Sequence, residues 1–185
     1  MLEDAKELAA DGMEKAKERL LRELARIRAG RANPALLDDV KVDSYGSMMP
    51  LKQVGTISVG DARLLVIKPF DRNNIAAIEK AINNSQLGLN PQSDGVIVRV
   101  PIPPLTEERR KQLVKQAASA GEDAKISMRQ VRRDANDMLK QAEKDKDISE
   151  DDLKRGLEQI QKLTEAETKR VDAVVTAKES EIIDG

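Results

Sequence analysis

Three arginines, Arg129, Arg132 and Arg133, are spaced by three and four residues, which sets them on one face if the segment is helical. Arg133 has a carboxylate, Asp137, four residues on; Arg129 and Arg132 have none at three or four positions in either direction. Guanidinium groups without a local counter-charge suit phosphate oxygens, which the planar arginine fork can grip. The competing reading is a solvated face or one paired across a helical bundle, the ordinary fate of charge clusters on exposed helices. A second stripe, Arg19, Arg22 and Arg26, lies within pairing distance of Glu18 and Glu23 and reads as such a solvated face. Arg28 and Arg31 flank Gly30, and Arg109, Arg110 and Lys111 form a further basic group, with Glu107 placed to pair with Arg110 and Lys111.

Other chemistry is narrowed by what the chain lacks. With no Cys and no His, it has no disulfide, thiol nucleophile or thiolate metal site, and not the commonest general base or metal ligand. The acidic stretch EKDKDISEDD lacks the oxygen spacing and turn glycine of a calcium loop. No Walker lysine loop, paired-glycine dinucleotide turn or nucleophile elbow is present. The expectation is a non-enzyme with no catalytic residue, cofactor or metal. A formal net charge of -1 means that any nucleic-acid binding must come from a local patch. The N-terminus lacks the basic start and apolar run of a signal peptide, and no apolar stretch reaches membrane-spanning length, so a cytoplasmic protein is expected.

Long helices must carry the arginines. Charged residues make up 35% of the chain and aromatics 1%, so the core has to be aliphatic and the helix surfaces laced with charge pairs. Leu8, Met13, Ala16, Leu20, Leu24 and Ile27 recur at helical spacing and predict a helix from Leu2 to Ala29, broken in pattern only by Gly12 and stopped at Gly30. From about Asp39 to Val100, β-branched runs surround the helical stretch NIAAIEKAINNS, the pattern of a small β/α/β module. Pro101-Ile102-Pro103-Pro104 is a stiff, extended connector. Thr106 then caps a second helix reaching about Lys144, and Ser149 with Asp152 forms a capping-box variant opening a third that runs nearly to the end.

At 1.5 Å per residue these helices span about 42, 58 and 51 Å. None can bury its apolar stripe alone, so the first must pack against the two C-terminal ones across the inserted module. The expected fold is α+β: an elongated antiparallel three-helix bundle, residues 1–30 and 105–185, with a small β/α/β domain at 31–104. The two crossings carry few apolar anchors, which predicts a hinged, L-shaped molecule turning at Gly30, Arg31, Pro103, Pro104 and Leu105.

Four strings, IRAGRANPALL from Ile27, LGLNP from Leu87, PPLTEERRKQL from Pro103 and VRRDAND from Val131, resemble the ribosome recycling factor family, and the similarity runs in order across essentially the whole chain. The resemblance implies a non-enzymatic factor that binds ribosomes after peptide release. With elongation factor G and GTP it would separate the subunits and release mRNA and tRNA. It further implies that Arg129, Arg132 and Arg133 contact large-subunit ribosomal RNA, with Arg28 and Arg31 contributing. A monomer is expected. Ser44, where a second tyrosine is common, and Gln86, where Asp is frequent, depart from the family pattern within the small domain. The rival from another class is a helical-bundle adaptor that binds proteins and leaves its arginines in solvent.

Overall fold

The computed structural model describes all residues, 1–185, and divides them into two compact units, Met1–Arg28 with Glu107–Asp184, and Ala29–Thr106. The first unit is made of three helices, α1 (Leu2–Arg26), α4 (Glu107–Lys144) and α5 (Glu150–Asp184). Helix α1 ends three residues earlier than its periodicity predicts. Ile27 leaves the helix with extended backbone, its N–H still bonded to the Leu24 carbonyl, and its side chain remains buried. The apolar stripe therefore outlasts the helix.

The core of this unit is aliphatic and rich in alanine, with Ala5, Ala9, Ala135, Leu139 and Ile160 forming one buried cluster. Small residues let the helices approach closely, and each helix contributes a glycine where a β-carbon would collide. A Cβ at Gly12 would fall 2.7 Å from Val131 Cγ1, one at Gly121 would fall 2.6 Å from Val175 Cγ2, and one at Gly156 would fall 2.7 Å from both Leu139 Cδ1 and Leu2 Cδ1. The same contacts fix direction. Leu2 lies near Gly156, and Leu21 and Leu24 line one groove with Val174 and Ala177, so α1 runs parallel to α5 and antiparallel to α4.

Helix α5 opens on a reciprocal cap. Ser149 Oγ accepts from the Asp152 N–H at 3.1 Å and donates to Asp152 Oδ2 at 2.8 Å, and that carboxylate also accepts the Ser149 N–H at 3.4 Å. Two donors that the first turn would leave unpaired are thereby satisfied.

The second unit is built on antiparallel strands. β1 (Lys41–Ser44) and β2 (Ser47–Pro50) form a hairpin whose two central residues, Tyr45 and Gly46, both have positive φ, 51° and 85°. A short helix α2 (Leu51–Val54) leads into β3 (Gly55–Asp61) and β4 (Leu64–Pro69); α3 (Ile75–Asn83) then precedes β5 (Gln92–Ser93) and β6 (Val98–Pro101). The sheet order is β3-β4-β6-β5. Leu65, Ile67, Val98 and Val100 point from the central strands into a core shared with Ile78 and Ile82 of α3. The alternate residues Lys68 and Arg99 are exposed. Within this unit Gly30, at φ 76°, lies against Leu105, so that a Cβ there would meet Leu105 Cγ at 3.0 Å. The two connectors meet at that contact.

Candidate nucleic-acid interface

Helix α4 carries the three arginines, and one of them differs from the other two. Arg132 is half-buried, and its Nη1 donates to Gln161 Oε1 of α5 at 3.2 Å. Arg129 and Arg133 are exposed and form no ion pair or side-chain hydrogen bond. The expected pairing of Arg133 with Asp137 is absent, because Asp137 faces Lys140 instead, at 3.9 Å. Nearby acceptors are also engaged: Gln130 Nε2 donates to Asp134 at 2.7 Å, and Gln161 Nε2 donates to Glu165 at 2.9 Å. An amide anchor for one guanidinium and none for its two neighbours leaves the arginine donors free for an external anion.

The pairs expected on α1 are missing too. Lys6, Lys15 and Lys17 close ion pairs with Glu3, Asp11 and Glu14 at 2.8, 2.7 and 2.6 Å. Arg19, Arg22 and Arg26 form none with Glu18 or Glu23, and all three are exposed, so the face is solvated without being paired. Arg19 and Glu23 line a groove with Asp123 and Ser127 of α4, a different flank from that of Arg132. The two stripes do not form one surface.

Arg28, just past the end of α1, is exposed, and so is Arg31 in the second unit. At the start of α4, Glu107 pairs with Lys111 at 2.9 Å. Arg110 is not its partner: the Arg110 side chain is half-buried, and its Nε is enclosed without an acceptor. Arg109 Nη1 donates to Gln112 at 3.1 Å.

One buried carboxylate has a structural part. Glu167, 6% exposed, accepts from Arg170 Nη1 at 2.5 Å and lies 3.7 Å from Lys17 Nζ, tying α5 to α1. Lys17 is held above its ordinary value by its hydrogen bond to Glu14, against the opposing effect of desolvation. No group of acidic, His or Cys side chains could hold a metal ion, and no helix is long and apolar enough to cross a membrane.

A three-helix unit interrupted by a β/α/β unit, with Arg129 and Arg133 exposed and unpaired along one long helix, is the arrangement to be compared with known proteins. The ribosome recycling factor family model matches residues 20–183. Ribosome-recycling factor from Halalkalibacterium halodurans is 53% identical over 176 residues, covering 95% of both chains. That from Carboxydothermus hydrogenoformans is 51% identical over 183 residues, covering 99% of both. A solution structure of ribosome recycling factor superposes with a TM-score of 0.75 at 44% identity, covering 100% of this chain and 98% of that one. Models for the T. thermophilus ribosome recycling factor and the E. coli elongation factor G bound to the E. coli post-termination complex give a TM-score of 0.63 at 43% identity, covering 98% of both chains. This chain belongs to the ribosome recycling factor family, and its function is ribosome recycling after termination.

Proposed function

We propose that the three-helix unit seats the protein on large-subunit ribosomal RNA through Arg129, Arg132 and Arg133, with Arg28 and Arg31 adding contacts. The observation that carries this reading is the pair of exposed guanidinium groups, Arg129 and Arg133, without a counter-charge beside an Arg132 already oriented by Gln161. Each phosphate contact made by such a group releases condensed counterions, so binding should fall steeply with salt. Elongation factor G, hydrolysing GTP, then drives the second unit about Gly30–Arg31 and Pro103–Pro104–Leu105. The subunit bridges break, and mRNA and tRNA leave. Long helices transmit such a displacement with little loss, and the short connectors absorb the rotation. The protein works as a cytoplasmic monomer.

Light scattering of post-termination ribosomes mixed with elongation factor G and GTP tests the contact. The parent chain should split them, and the Arg129→Ala/Arg132→Ala variant should not. Equal splitting by both would remove the arginines from the mechanism, and salt-insensitive binding would point to an adaptor instead. The hinge is tested separately by a crosslink between the two units, which should preserve ribosome binding and abolish splitting.

A further inference from the structure

The chain contains two aromatic residues, one Tyr and one Phe, and neither enters a core. Tyr45 is 76% and Phe70 71% exposed. They occupy one corner of the second unit, where the Tyr45 hydroxyl donates to Asp71 Oδ2 at 2.5 Å, beside Phe70 in the chain. Tyr45 is also one of three non-glycine residues with positive φ, at the first central position of the β1–β2 turn, where Asn, Asp or Gly is the favoured occupant. A bulky ring there costs backbone strain and returns little buried area. Its return to the fold is the hydroxyl bond to Asp71, which uses the polar tip and not the ring, and strain of this kind gathers at binding sites.

We propose that this corner is a stacking platform for an unpaired RNA base, with the adjoining phosphates held by Lys68 and Arg72. The local sequence alternates cation, aromatic, cation: Lys68, Phe70 and Arg72 are all exposed, and neither cation forms an ion pair. Charged residues interleaved with an aromatic face are what single-stranded nucleic acid requires, because every base has a face to stack and every linkage a phosphate to neutralise. The nearby carboxylates are occupied from within: Asp71 Oδ1 accepts the Asn73 N–H at 2.9 Å, and Asp43 Oδ1 accepts the Gly46 N–H at 3.0 Å. The Tyr45 hydroxyl is likewise committed, which leaves its ring faces rather than its polar tip for a partner. That favours a base over a protein contact, where a tyrosine typically offers both ring and hydroxyl.

The test uses the full chain and a short single-stranded oligouridine, followed by proton NMR. The aromatic side-chain region consists of Tyr45 and Phe70 alone, so stacking reads out directly as upfield shifts of their ring protons. Single-stranded RNA should move both rings, an RNA duplex should not, and Phe70→Ala should weaken binding about five- to a hundred-fold. Lys68→Gln/Arg72→Gln should flatten the salt dependence, while an unchanged methyl spectrum shows that the fold persists. Unmoved rings at millimolar oligouridine overturn the proposal. So do rings that respond only to RNA-free protein partners. Because the measurement needs no ribosome and no bundle arginine, its outcome is separate from that of the recycling contact.

Discussion

Asp94 shows how a surface carboxylate becomes committed without being buried. It accepts the Ile97 and Val96 N–H groups at 3.0 and 2.9 Å and the Arg99 guanidinium at 2.8 Å, and these bonds hold its pKa at about 2, below an ordinary 3.8. Since the folded value is the lower one, the ionised form favours the fold. Its contribution is present above the unfolded value and is lost as pH falls from about 4 toward 2. Carbon-detected carboxyl titration should find Asp94 protonating near pH 2, and Asp94→Asn should remove that part of the acid dependence. The bundle arginines teach a different lesson about legibility. Their shared face was visible from spacing alone, but spacing states reach and not choice, which is why Asp137 turned to Lys140 rather than Arg133. Gln161, the partner of Arg132, lies on another helix and depends on the α4–α5 register, which no local pattern encodes.

Among the elements, the helices were readable because their apolar period and caps are local properties. Ser149 and Asp152 pair as the S-E-D-D string implied, and Ser149→Ala should lower stability by about 1 kcal/mol in urea unfolding. The glycines inside the helices were not readable. Gly12 interrupts the α1 pattern in sequence, yet in space it admits Val131, just as Gly121 admits Val175. Alanine is the better helix former by about 1 kcal/mol, but at Gly121 its methyl would sit against a β-branched side chain that cannot rotate away freely in a helix. Gly121→Ala should therefore destabilise, by about 1 to 2 kcal/mol net. Val175→Ala in the same background should recover part of the loss. Thermal unfolding of the two variants reads both, and a stabilised Gly121→Ala would show that the helices separate easily there.

At the level of the whole molecule, the two units differ in how they are assembled from the chain. The second, Ala29–Thr106, is continuous and has its own buried cluster of Leu, Ile and Val residues. A fragment of those residues should fold cooperatively, with dispersed methyl resonances, whereas a fragment ending before α4 should leave α1 without fixed structure. The helical content and the inserted module were evident in the sequence because each has its own periodicity. The positions of α1 against α4 and α5 followed only from the need to bury an orphan stripe. The interruption also sets an order of events during synthesis. About eighty residues separate the last turn of α1 from the first of α4, which at about 5 to 20 residues per second is a delay of several seconds. Through that interval α1 emerges with its apolar face uncovered while the inserted unit completes itself. A nascent chain of this kind needs shielding for its first helix and not its middle, and chaperone contact during translation should concentrate on residues 2–26.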